Sequence, residues 1–155
     1  LESYKTVWER WQKAEQKFVA FEGQVPLASP ECIAHGRELY LDDNKASCVK
    51  CHGESGRGDG PSAFTVDEHG NKVSAYQDDW GNPILPRDLT RGLFRGGKRP
   101  IDIYRRIYSG INGTALPGVG EAQDANGNPL LSADDLWCLV HYVRSLSERP
   151  PVHLE

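Results

Sequence analysis

Cys48-Val49-Lys50-Cys51-His52 sets two thiols three residues apart and an imidazole directly after the second. That spacing suits one piece of chemistry: the two sulfurs form thioether bonds to the vinyl groups of a haem, and the adjacent histidine becomes the proximal ligand of its iron. A redox Cys-x-x-Cys needs no histidine after it, and a four-cysteine zinc site needs a second close pair. The remaining cysteines, Cys32 and Cys138, stand alone. The expected cofactor is therefore one haem c, anchored by Cys48 and Cys51 with His52 on the iron. No second such motif and no methionine occur in the chain, so the usual sixth ligand of such an iron is missing.

Helices must position these groups. Ser3 caps an expected helix over 3–21, in which Tyr4, Val7, Trp11, Ala14, Phe18 and Phe21 follow a 3.5-residue period. This seam lies either across its own domain or against a partner subunit. Ser29-Pro30-Glu31 supplies an N-cap, an N1 proline and an early acid for a second helix reaching Leu41. Gly36 inside it costs about 1 kcal/mol relative to alanine unless another backbone comes close. Residues 53–99 are rich in Gly, Pro, Asn and Asp with little periodicity, acceptable in a compact domain if a haem supplies the core. Within them, 67–73 form a turn at a loop tip. Pro100 opens a helix that Gly110 ends, and Ser132-Ala133-Asp134-Asp135 caps a final helix, which Pro150-Pro151 stop. No internal repeat is evident. The divisions expected are 1–29, an N-terminal helix and linker; 30–149, the haem-binding domain; and 150–155, a tail.

Composition narrows the class. A formal charge of −4 and 38% hydrophobic residues over 155 positions describe a mildly acidic globular protein, not a nucleic-acid binder. No apolar run approaches the roughly 18 residues of a membrane span. Covalent haem attachment in bacteria takes place outside the cytoplasm, so an exported protein, periplasmic or the equivalent, is expected. Leu1 in place of an initiator Met fits a chain whose signal peptide has been removed.

Over residues 33–147 the chain resembles the class I cytochromes c. The resemblance rests on Gly36-Arg37-Glu38-Leu39-Tyr40, on Cys48 to Gly53, on Gly58-Asp59-Gly60-Pro61, and on the run from Asp135 to Leu146. It implies an all-α class I cytochrome c fold wrapped around one covalent haem, here with an extra N-terminal helix. It also implies that the first and last helices cross at a glycine and an aromatic, Gly36 and Tyr142, and that the Pro61 carbonyl accepts the Nδ1 proton of His52. Trp80 becomes a candidate donor to a haem propionate or a cover for the haem edge. Arg87, Arg91, Arg95, Lys98 and Arg99 neutralise propionates, form a docking patch, or are ordinary solvated charge. Related cytochromes read Gly-Thr-x-Met-Pro where this chain has Gly113-Thr114-Ala115-Leu116-Pro117, and the Leu116 side chain has no lone pair to donate.

Several sources of a sixth ligand stay open. Cys138, with Cys32 as alternate, would give a thiolate, although two spare cysteines in an exported protein usually pair as a disulfide. His69 on the 67–73 loop and His35 on the second helix are histidine alternates, while His141 and His153 read as exposed. An iron left open under Leu116 is the last outcome. A cysteine ligand would align the chain with the His/Cys-ligated heterodimeric monohaem cytochromes of anammox bacteria, with helix 3–21 serving the dimer. The leading expectation is a monohaem one-electron carrier of low potential, working with redox protein partners. The alternatives are a sensor or binder of NO or CO, and a haem enzyme of sulfur or nitrogen metabolism. No set of acid and base residues specifies a substrate, so a carrier or gas binder is preferred to an enzyme.

Overall fold

The computed structural model describes residues 2–14, 19, 24–78 and 80–148. Among the described residues five α-helices lie in the order α1 (Glu2–Ala14), α2 (Pro30–Leu41), α3 (Val49–His52), α4 (Pro100–Ser109) and α5 (Ala133–Glu148). Two short antiparallel ribbons interrupt them, β1 (Phe64–Val66) with β2 (Lys72–Ser74) and β3 (Tyr76–Gln77) with β4 (Pro83–Ile84). The fold is thus mainly helical, and the all-α expectation is corrected for part of 53–99, which builds hairpins.

The turns of both hairpins and a third turn at 124–128 share one short device, a five-residue pattern repeated three times. Asp67-Glu68-His69-Gly70-Asn71, Asp78 to Asn82 and Asp124-Ala125-Asn126-Gly127-Asn128 have the same Asp-x-x-Gly-Asn pattern. In each, the Asp Oδ1 accepts the backbone N–H two and four residues on, and the Asn side chain donates to the Asp carboxylate. These bonds hold the three carboxyls below the usual range. Each turn is stabilised locally and needs no core of its own.

The long helices obey their sequence signals. The Ser29 side chain accepts from the Cys32 N–H at 3.1 Å and caps α2. Ser132 Oγ accepts from Asp135 N–H at 3.1 Å while the Ser132 N–H donates back to Asp135 at 2.9 Å, completing the expected capping box of α5. Leu136, Leu139, Val140, Tyr142, Val143 and Leu146 of α5 are buried against Leu39 and Tyr40 of α2 and Ile103 and Tyr104 of α4. Tyr104 stacks on Trp137 with centroids 4.5 Å apart.

The decisive packing is the crossing of α2 and α5. A Cβ at Gly36 would collide with the Cys138 carbonyl and lie 2.9 Å from the Tyr142 Cβ, so only glycine permits this approach. Cys32, one turn before, is bonded to Cys138, with Cα atoms 4.8 Å apart. Tyr40, one turn after, meets the Tyr142 ring edge-on at 5.2 Å and donates its hydroxyl to the Gly53 carbonyl at 2.7 Å. His141, expected on the surface, is only 4% exposed, because its Nε2 donates to the Pro26 carbonyl at 2.9 Å and straps the 24–29 segment onto α5.

α1 is described over Glu2–Ala14; residues 15–18 and 20–23 of the expected 3–21 helix and the glycine after it lie outside those described. Its apolar residues Tyr4, Val7, Trp8 and Trp11 are all exposed, Trp11 by 75%. The reading that this seam packs on its own domain is therefore corrected for these positions.

His35 ties the two crossing helices together from outside, 2.6 Å from Asp135 and 3.7 Å from Glu38. The Asp135 hydrogen bond raises the His35 pKa. Its stabilising effect is therefore full below the unfolded value near 6.5 and is lost as pH rises through the folded value. We predict that His35→Ala destabilises by about 0.5 kcal/mol at pH 5.5, the range of a half-exposed pair, and by less at pH 9. Urea unfolding at the two pH values measures this.

Candidate haem site

Cys48 is the N-cap of α3 and the four residues after it form a single helical turn, which projects both sulfurs and the imidazole from one short segment. Among the described cysteines only Cys48 and Cys51 are free, since the other two are joined to each other. Burial pushes the Cys48 thiol up to about 12, so it is held as a protonated thiol in apolar surroundings. Tyr76 of β3 lies beside the Cys51 side chain, whose nearness raises the Tyr76 pKa, a neighbour with no signature in the sequence.

The His52 ring decides what this segment can hold. Burial lowers its pKa, opposed by a hydrogen bond to the Arg87 carbonyl. Nδ1 lies 3.0 Å from that oxygen. A carbonyl only accepts, so Nδ1 carries the proton and the neutral ring keeps its Nε2 lone pair for a metal. Two free thiols at the right spacing and an imidazole of fixed tautomer fit a covalently attached haem.

This bond corrects the expectation for Pro61. Pro61 opens a 3-10 turn, Pro61–Ala63, and lines a groove of about 660 Å³ beside the motif with Arg37, Val49, Glu54 and Asp59. The Arg87 carbonyl accepts the His52 Nδ1–H because the loop after the motif is stitched to residues 86–91. Gly58 N–H donates to the His52 carbonyl at 2.8 Å, and Leu89 N–H donates to the Gly56 carbonyl at 2.7 Å. Gly58 has φ +80°, and a Cβ there would sit 2.5 Å from the Pro86 carbonyl oxygen. Asp88 caps the following 3-10 turn, Leu89–Arg91, by accepting from Thr90 N–H at 3.0 Å. Pro86 and this cap were visible signals of a constrained segment, but a main-chain carbonyl has no residue type to betray it.

The candidates for the iron's other face fare differently. Cys138 and Cys32 are corrected: a sulfur spent in a disulfide is no thiolate. His35 is engaged by Asp135, and His141 by Pro26. His69 projects from the tip of the first hairpin beside Glu68, and His153 lies outside the described residues. Leu116 is half-buried in a loop closed by a hydrogen bond from Ile111 N–H to its carbonyl at 3.2 Å. Trp80 is 83% exposed on the tip of the second hairpin, where its backbone N–H binds Asp78.

These features define a c-type cytochrome, and residues 33–147 match the family model for cytochrome c. The chain belongs to the cytochrome c family, whose members bind haem covalently through such a cysteine pair. Among solved structures it is similar to a chain of the Kuenenia stuttgartiensis reducing HAO-like protein complex Kustc0457/Kustc0458, with 37% identity and a TM-score of 0.64. The match covers 86% of this chain and 54% of that one, so this chain spans little more than half of its structural relative. Comparison with curated proteins gives no match.

If the disulfide is structural, replacing both Cys32 and Cys138 by serine leaves the ferric absorption spectrum of the haem-loaded protein unchanged. It lowers stability by about 2–5 kcal/mol, as loss of a long-range disulfide does. Spectra and guanidinium unfolding of the double variant check both halves.

Proposed function

We propose that this haem protein is a one-electron carrier of an extracytoplasmic redox chain, in which His52 is the iron's only ligand among the described residues. The observation that carries the reading is the neutral His52, with Nδ1 bound to the Arg87 carbonyl, between two free cysteines and a rigid frame. A bound haem supplies the ferric/ferrous couple. The chain's own part is to anchor it at Cys48 and Cys51, to orient the imidazole, and to keep its geometry the same in both oxidation states.

A second reading follows from the other face. With Leu116 where relatives carry methionine, and with Cys32 and Cys138 joined, an exogenous ligand such as CO or NO has an unopposed sixth position. The ferrous protein then binds CO with a shift of its Soret band. Leu116→Met raises the reduction potential and weakens CO binding at least about tenfold, a difference of about 1.4 kcal/mol. A ferrous wild type that is six-coordinate and indifferent to CO would overturn the open-iron assignment, though not electron transfer.

The relative comes from a complex of two proteins, and α1 supports a comparable arrangement here. Tyr4, Val7, Trp8 and Trp11 fall at i, i+3, i+4 and i+7, the anchor spacing of a helix seated in an apolar groove. An isolated helix of 13 residues is marginal in water. We assign this face to a partner subunit. Trp8→Ala with Trp11→Ala is expected to weaken the native complex by about 2 kcal/mol or more, at unchanged haem content. Sedimentation of the complex isolated from its source measures this.

A further inference from the structure

The chain that joins α1 to α2 is fastened to the rest of the molecule by two side chains. Arg105 of α4 donates from Nε to the Val19 carbonyl at 3.3 Å, and His141 of α5 donates from Nε2 to the Pro26 carbonyl at 2.9 Å. Segment 24–29 is a single layer over α5, since Leu27 is 92% exposed while His141, bonded to the residue before it, is only 4% exposed. One thin strap thus covers a titratable ring.

That ring is held in one protonation state. A carbonyl only accepts, so Nε2 carries the proton and the neutral imidazole keeps a lone pair on Nδ1. Nδ1 is buried and has no hydrogen-bond partner among the described residues. The charged groups of the neighbouring elements give a second ring proton no acceptor. Arg144, one turn on in α5, opposes a further positive charge. On α4, Arg105 is turned to Val19, Arg106 to the Arg95 carbonyl and Asp102 to Arg99. On α2, Glu31 and Glu38 are exposed and His35 pairs with Asp135. Residues 24–29 contain no ionisable side chain. Burial lowers the His141 pKa, the Pro26 bond opposing it and Arg144 adding to it.

We infer that His141 and segment 24–29 form an acid-released latch on the chain behind α1. A proton from solvent adds to Nδ1, and the new N–H finds no acceptor while the segment stays closed. The segment then lifts, water hydrates the cationic ring, and the bond from Nε2 to Pro26 is lost; no covalent bond other than N–H changes. The closed-state pKa lies below the open-state value near 6.5, so the latch holds fully above that value and loosens as pH falls. Between the two values each pH unit raises the open-to-closed ratio about tenfold. A consequence rests on the assignment of the α1 face to a partner subunit: opening removes one of the two fastenings behind α1, so acid loosens the hold on that partner.

Elastase cleavage within 24–29 of the haem-loaded protein, normalised to a free peptide of the same residues, reads the opening. Between pH 7.5 and 5.5 the wild type should be cut about tenfold faster. His141→Gln, whose amide donates to the same carbonyl but takes up no proton, should change by less than about twofold. Wild-type cleavage that ignores pH overturns the latch, as does a variant equally sensitive to acid. Where the variant fails to fold, histidine C2-proton exchange followed by mass spectrometry decides on the wild type. A His141 ring that titrates below about 6.5 and exchanges more slowly than His69 supports the latch, and one that titrates at its ordinary value overturns it. Sedimentation of the complex isolated from its source separates the latch from the partner. Dissociation that rises about tenfold in acid for the wild type but not for His141→Gln supports control of the partner. A complex weakened by Trp8→Ala with Trp11→Ala but indifferent to pH overturns that control. One indifferent to both overturns the α1 assignment, and the cleavage result then judges the latch alone.

Discussion

The crossing of α2 over α5 is the constraint on which the rest of this protein depends. Cys32, Gly36 and Tyr40 are spaced by four and share one face of α2. The first is bonded to Cys138, the second lies against the Cys138 carbonyl, and the third packs on Tyr142. Covalent, steric and aromatic restraints thus act along one line. Its far end is the Tyr40 hydroxyl, which burial keeps protonated and which binds the carbonyl of Gly53, the residue following His52. The helix crossing therefore places the haem-binding turn directly, without relying on the irregular segments between.

A second line of restraint approaches from the opposite side. The loop after the motif folds back so that Gly56 and Gly58 meet residues 86–89, and this brings the Arg87 carbonyl to Nδ1. A ring held between its own backbone and a distant carbonyl cannot turn freely. Electron transfer benefits, because a ligand that does not reorient with oxidation state adds little to the reorganisation that each transfer requires.

How much was legible depended on how local each feature is. The Cys-x-x-Cys-His spacing, the Ser29 and Ser132 caps and the Pro100 start are short-range patterns, and the structure reproduces the helices they mark at 30–41, 100–109 and 133–148. The hairpins of 64–84 escaped because their strands are two or three residues long, too short for an alternating pattern to register. Their turn signal, Asp-x-x-Gly-Asn, is local and was available. His141 was misread because its polar character suggested solvent, whereas a single carbonyl at Pro26 lets it be buried on the apolar side of α5.

By itself the sequence determined the cofactor class, the candidate proximal ligand and the absence of methionine, because covalent attachment is written in the spacing of adjacent residues. Only the tertiary structure decided which carbonyl holds His52 and what becomes of Cys32 and Cys138. Those outcomes join positions 35 and 106 residues apart. Residue type announces what a side chain can bond to, but packing decides which partner arrives first.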